Sequence, residues 1–132
     1  MKNLAYLDLS EVRVSDLSAL AKLTNLQSLN LRASSVSNIE ALAGLKKLKI
    51  LNLEDCSVKD LEPISALSSL EQLNLSGTAV VDVTPIANLK NLNWLDLSRT
   101  KVADLTRLNK LDKIWPLSPG FVPDALRKKQ KD

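Results

Sequence analysis

Leu48–Ser69 reads LKILNLEDCSVKDLEPISALSS, and its apolar positions are Leu48, Leu51, Leu53, Val58, Leu61, Ile64 and Leu67. Twenty-two residues earlier the same places hold Leu26, Leu29, Leu31, Val36, Ile39, Leu42 and Leu45. Twenty-two residues later they hold Leu70, Leu73, Leu75, Val80, Val83, Ile86 and Leu89. One further step each way adds Leu4, Leu7, Leu9, Val14, Leu17, Leu20 and Leu23 before, and Leu92, Leu95, Leu97, Val102, Leu105, Leu108 and Leu111 after. Seven columns are thus apolar in all five repeats, 4–25, 26–47, 48–69, 70–91 and 92–113. A fixed period of this length signals a stacked array of like units.

The spacing within one unit predicts its conformation. Leu51 and Leu53 share one side of the chain while Asn52 faces the other, the alternation of a short strand with one buried face. Val58, Leu61, Ile64 and Leu67 then recur every three residues. Three per turn is the 3₁₀ period, and 22 residues leave little room for a full α-helix. One unit cannot bury both its strand side and its return side. Stacking buries both, with successive strands parallel and roughly 4.8 Å apart. The expected architecture is an α/β solenoid: a right-handed coil with a parallel β-sheet on the concave face and 3₁₀ or extended segments on the convex face.

Polar columns punctuate the return side. Asp16, Asn38, Asp60, Asp82 and Asp104 recur one per repeat. Asp and Asn accept hydrogen bonds from free backbone N–H groups at the start of a helical turn. Pro63 and Pro85 follow three residues later, inside the first turn, where a missing N–H costs nothing. The acidic column therefore reads as capping and not as a line of metal ligands. Ala21, Ala43, Ser65 and Ala87 mark a tight spot, where Asn109 is larger.

The L-x-x-L-x-L start resembles the leucine-rich repeat, in the 22-residue form of internalins and of the leucine-rich regulator of protein phosphatase one. It is also similar to the T-x-V-x-D-L repeats of bacterial interaction proteins, seen here as Thr100-Lys101-Val102-Ala103-Asp104-Leu105. The resemblance covers Leu4 to Leu111. It implies recognition of a protein, in signalling, host interaction or immunity. The family usually carries Asn nine residues into the repeat, where this chain has Val12, Ser34, Cys56, Thr78 and Thr100. Hydroxyls, and weakly a thiol, can replace part of that bonding. Cys56 is accordingly expected to be buried and structural, and with no histidine in the chain it lacks the usual base of a nucleophile.

Composition bounds the function. The net charge is +3, there is one cysteine, and aromatic residues make up 3% of the chain. An internal disulfide is impossible with one cysteine, which fits a reducing compartment. No apolar run is long enough to cross a bilayer. A cytoplasmic location is the expectation, with secretion open if a leader preceded Met1. There is no Gly-rich phosphate loop, no metal-ligand spacing and no acid–base pair outside the repeat columns, so neither an enzyme, a cofactor nor a small-molecule substrate is expected.

The two ends differ from the middle. Repeat one begins almost at the first residue and leaves no room for a cap. Either the chain belongs to a longer repeat protein or has lost its cap, the favoured reading, or the open end docks on a partner or a second copy as a dimer. After Leu111 the period fades. Residues 113–126 are expected to form a partial sixth repeat and a C-terminal cap, with Trp115, Phe121, Val122 and Leu126 folding over the end. Residues 127–132 are a basic tail, read as a solvated terminus.

Function is expected on the outward strand positions. One column holds Tyr6, Ser28, Ile50, Gln72 and Trp94, and the next holds Asp8, Asn30, Asn52, Asn74 and Asp96. A third holds Ser10, Arg32, Glu54, Ser76 and Ser98, flanked by Glu11, Ala33, Asp55, Gly77 and Arg99. The Asn and Asp column reads as a ladder supporting the sheet. Exposed aromatic, Ile and Arg residues are the types that anchor protein interfaces. The expected partner-binding set is Tyr6, Arg32, Ile50, Glu54, Gln72, Trp94, Asp96 and Arg99. Acids outnumber bases on this face, which argues against nucleic acid and suits a protein with a complementary basic or mixed patch. The alternative is a structural or assembly segment of a larger multidomain leucine-rich repeat protein.

Overall fold

The computed structural model describes residues 3–110. The partial sixth repeat and cap expected over 113–126, and the basic tail at 127–132, lie outside the described residues.

Five three-residue strands form one parallel sheet in chain order: β1 (Tyr6–Asp8), β2 (Ser28–Asn30), β3 (Ile50–Asn52), β4 (Gln72–Asn74) and β5 (Trp94–Asp96). The register is 22 residues at every step, with Leu7 beside Leu29, Leu29 beside Leu51, Leu51 beside Leu73 and Leu73 beside Leu95. Parallel neighbours require a crossover, and such crossovers are right-handed. Here each of the four crossovers runs through a 3₁₀ turn, Ser18–Lys22, Glu40–Leu42, Glu62–Ile64 and Thr84–Ile86, and a fifth turn, Thr106–Lys110, follows β5. The molecule is the leucine-rich coil that the spacing predicts, with the sheet lining the concave side.

The three-residue spacing of the return side has a direct backbone cause. In repeat three the N–H of Ile64 donates to the carbonyl of Leu61 at 3.1 Å, that of Leu67 to Ile64 at 3.1 Å, and that of Leu70 to Leu67 at 3.0 Å. From Leu61 onward each apolar column is thus hydrogen-bonded to the one three residues before it. An i to i+3 bond eclipses side chains three apart, so all of them face the core. Pro63 and Pro85 fall in the first turn of their 3₁₀ segments, at positions where no carbonyl waits for a donor.

The core is a single stack of these columns, from Leu17 to Leu108, with the side chains of repeats two to four at 0–1% exposure. Repeat one is different. Leu4, Leu7, Leu9, Val14 and Leu23 pack against the stack but are half-buried, because among the described residues no layer covers their outer side. Val12 stands 47% exposed where the later repeats bury Ser34, Cys56 and Thr78.

Candidate functional site

The concave face is built from the residues between buried leucines. Tyr6 is 70% exposed and Ile50 39%, Gln72 is exposed, and Trp94 is half-buried. Strand pairing sets these side chains in one row, Tyr6 beside Ser28, then Ile50, Gln72 and Trp94. Ile50 and Trp94 flank a concavity of about 170 Å³ whose other lining residues are Leu51, Asn52, Gln72 and Asn74. Its size is comparable to cavities that accept a benzene-sized group.

The Asn and Asp column ends the strands and does not run as a ladder between them. The side-chain oxygen of each residue accepts the backbone N–H two residues on: Asp8 from Ser10 at 2.8 Å, and Asn30 from Arg32, Asn52 from Glu54, Asn74 from Ser76 and Asp96 from Ser98, all at 2.9 Å. This Asx turn gives a backbone donor its partner as the chain leaves the sheet. Asp96 also accepts the Ser98 hydroxyl at 2.7 Å. Asn74 makes one contact to the neighbouring repeat, donating from Nδ2 to Glu54 Oε1 at 3.3 Å.

Immediately after each Asx turn the backbone enters the left-handed region. Glu11, Ala33, Asp55, Gly77 and Arg99 have φ between 55° and 71°. The turn is closed by an N–H three residues on, Cys56 to the Leu53 carbonyl at 3.1 Å and Thr78 to Leu75 at 3.2 Å. A positive φ at its third residue is the requirement of a type II turn. Four of the five residues there are not glycine, so the sequence carries almost no sign of it. The conformation is held from outside: the left-handed residue's own N–H donates to the next repeat, Ala33 to Glu54 at 2.8 Å, Asp55 to Ser76 at 2.9 Å and Gly77 to Ser98 at 3.0 Å.

The charged residues expected to meet a partner meet each other. Arg99 reaches back over repeat four to the third repeat. Its Nη1 donates to Asp55 Oδ1 at 2.8 Å, and its Nη2 lies 2.9 Å from Ser76 Oγ and 3.3 Å from Glu54 Oε2. Glu54 in turn lies 3.5 Å from Arg32 Nε, and Arg32 Nη1 lies 3.8 Å from Glu11. The chain Glu11–Arg32–Glu54–Arg99–Asp55 therefore crosses the edge of the sheet with one net negative charge. Gly77 makes the long reach possible, since a Cβ there would collide with Asp55 Oδ1 and crowd Arg99 Nη1. Ser76, expected to face outward, is buried beneath this strap and shares a 2.9 Å hydrogen bond with Ser98 Oγ.

The ninth position of each repeat is inside. Thr78 and Thr100 donate from their hydroxyls to the carbonyls of Leu75 and Leu97 at 2.7 and 2.6 Å. Cys56 is 2% exposed, donates to the Leu31 carbonyl at 2.9 Å, and has Ser34 Oγ at 3.6 Å. It has the buried, hydrogen-bonded role the spacing implied.

On the convex side, each acidic column residue caps its turn. Asp16, Asn38, Asp60, Asp82 and Asp104 accept the N–H of Ser18, Glu40, Glu62, Thr84 and Thr106 at 2.8–2.9 Å. The Thr84 and Thr106 hydroxyls and N–H groups hold Asp82 and Asp104 below the usual carboxylate range. Asp16 is lowered by the Ser18 N–H and then its hydroxyl, and Asp8 by the Ser10 hydroxyl and then its N–H. A hollow of about 460 Å³ between repeats one and two includes Asp16 and Asn38 in its wall, but their oxygens are engaged by these caps. Among the described residues no group of three or more His, Cys, Asp or Glu could hold a metal ion, and no helix is long and apolar enough to cross a membrane.

A parallel sheet of L-x-x-L-x-L strands with three-residue return turns defines a leucine-rich repeat solenoid, and the family model for leucine-rich repeats (two copies) matches residues 2–46, 24–66 and 46–88. The chain belongs to the leucine-rich repeat family. Within it, the chain is internalin-like. It is similar to internalin C2 of Listeria monocytogenes, at 32% identity and a TM-score of 0.86 over 89% of this chain and 52% of that one. It is also similar to the internalin InlF of the same organism, at 31% identity and a TM-score of 0.84 over 88% of this chain and 34% of that one. A leucine-rich repeat protein of Leptospira interrogans follows at 29% identity and a TM-score of 0.73, over 89% of this chain and 32% of that one. The chain thus spans about a third to a half of the length of these relatives. No curated protein matches it. Leucine-rich repeat domains are in general protein-interaction modules.

Proposed function

We propose that this array is a non-catalytic module that binds a protein partner through its concave strand face. The observation that carries the reading is the row of Tyr6, Ile50, Gln72 and Trp94, with its concavity between Ile50 and Trp94. Exposed aromatic and aliphatic side chains on a rigid sheet form an anchor site at low cost in conformational entropy. Asp96, Arg32, Glu54 and Arg99 flank that row and complete the proposed contact surface.

The test is binding of a native partner, captured from the source cell and then titrated, with the Trp94→Ala and Tyr6→Ala variants. Tyr6 is exposed and Trp94 half-buried, and neither belongs to the core, so circular dichroism should be unaltered while binding falls. Unchanged affinity in both variants would remove the concave face as the site.

A second reading has its own support. The charge row is satisfied within the chain, and the half-buried leucines of repeat one form an open layer. Both fit a segment that assembles with a second copy or with further repeats through residues 4–25. Concentration-dependent size in solution, abolished by Leu7→Gln, is its signature. The cytoplasmic expectation loses its basis in the cysteine count, because a thiol as buried as Cys56 stays reduced in any compartment.

A further inference from the structure

Charge is segregated on this molecule. The concave columns carry five carboxylates (Asp8, Glu11, Glu54, Asp55 and Asp96) against two guanidiniums (Arg32 and Arg99). The remaining 16 cations outnumber the remaining 10 acids over the rest of the chain, whose total is +3. The face that bears the exposed apolar row is therefore negative on a positive protein. Both of its arginines are already held: Arg32 by Glu54 and Glu11, Arg99 by Asp55 and Glu54. An acidic partner would find these cations engaged and five carboxylates around them, and a phosphate backbone would find the same. A basic partner would complete the field.

We propose that the concave face takes a basic segment of a partner protein, with one aliphatic or aromatic side chain seated between Ile50 and Trp94 and a lysine or arginine on the carboxylates of Glu54 and Asp55. The proposal rests on the concave-face reading and specifies its partner. The apolar seat and the charged seat are independent features of one surface. They are separated by four residues (Ile50 to Glu54) to five (Ile50 to Asp55) along repeat three, no more than about 13–17 Å at the strand rise. A single extended segment spans that distance with both side chains on one side.

Arg99 has a particular place in this picture. It occupies the position an incoming cation would take, beside Asp55 at 2.8 Å and Glu54 at 3.3 Å. It therefore acts as an internal competitor, and its removal should strengthen the binding of a basic segment.

The experiment pans a phage-displayed library of random peptides against the full chain at low salt. Selected peptides are resynthesised and titrated against the native chain and three variants. The expected peptides carry net positive charge, with Lys or Arg a few residues from Leu, Ile, Phe or Trp, and bind more weakly as salt rises. Trp94→Ala is expected to weaken them about thirtyfold, the loss of one interface anchor. Asp55→Lys should weaken them, and Arg99→Gln should tighten them by about twofold to fivefold, the range of an exposed ion pair. Melting curves of each variant establish that the array is folded. Weaker binding by Arg99→Gln overturns the proposal, as does selection of neutral or acidic peptides, or of none. Neutral or acidic peptides that still depend on Trp94 would overturn the basic partner and leave the concave site standing. Basic peptides indifferent to Trp94→Ala would overturn both.

Discussion

Gly77→Ala tests how the third, fourth and fifth repeats are tied together. Gly77 has φ +71°, in the left-handed region. An alanine there costs about 1–2 kcal/mol of backbone strain, offset by about 0.4–1 kcal/mol because the unfolded chain loses freedom. The backbone part is therefore on the order of 1 kcal/mol. The rest comes from the strap above. A Cβ at 77 would collide with Asp55 Oδ1 and crowd Arg99 Nη1, so the Arg99–Asp55 pair must open. That exposed pair is worth about 0.2–1 kcal/mol. The full change is expected to destabilise the array by about 1.2–2 kcal/mol. Urea unfolding of four proteins measures it: the parent, Gly77→Ala, Arg99→Ala and the double variant. With Arg99 already removed, the cost of Gly77→Ala should fall to its backbone part, about 1 kcal/mol. Equal cost in both backgrounds would show that the strap does not pass over Gly77 and would refute the reasoning.

The remaining expectations follow from the same geometry. Leu53→Asp places a carboxylate in the central layer, where Leu53 is fully buried, and should unfold the array, whereas Lys47→Asp loses an exposed hydrogen bond to Asn25 and should change the melting temperature little. Asp60→Ala removes the acceptor of the Glu62 N–H and should cost about 1 kcal/mol in urea unfolding. Asp8, Asp16, Asp82 and Asp104 have lowered carboxyl pKa values, so the unfolded chain binds more protons than the folded one near their titration. Their contribution is present above the ordinary carboxylate pKa and is lost as pH falls through the depressed folded values. Asp82→Asn should flatten that acid limb in a pH series of melting curves, and an unaltered limb would contradict the capping role. Cys56 should resist a thiol reagent in the native state and react at the rate of global or sub-global opening, whereas fast labelling would contradict its burial.

The coil was legible in the linear chain because its cause is local and periodic. Columns three residues apart announce i to i+3 bonds, and the alternation of Leu51, Asn52 and Leu53 announces one buried strand face. Repetition every 22 residues then leaves stacking as the way to cover both. The capping column of Asp16, Asn38, Asp60, Asp82 and Asp104 was readable for the same reason, since its partner lies two residues away. The placement of Tyr6, Ile50, Gln72 and Trp94 in one outward row followed from the alternation alone.

What tertiary structure decided lies between repeats. The left-handed residue after each of the first four strands is held by a hydrogen bond to the next coil, so Glu11, Ala33 and Asp55 adopt a conformation that their own side chains disfavour. The Asn and Asp column proved to be a set of turns because each side-chain oxygen accepts the backbone N–H two residues on. Arg99 and Asp55 are far apart in sequence, and whether they touch depends on the curvature of the sheet and on the missing side chain at Gly77. Local spacing dictates what one repeat is. Contacts between rungs, where side-chain length and sheet geometry meet, decide which charges are satisfied within the chain.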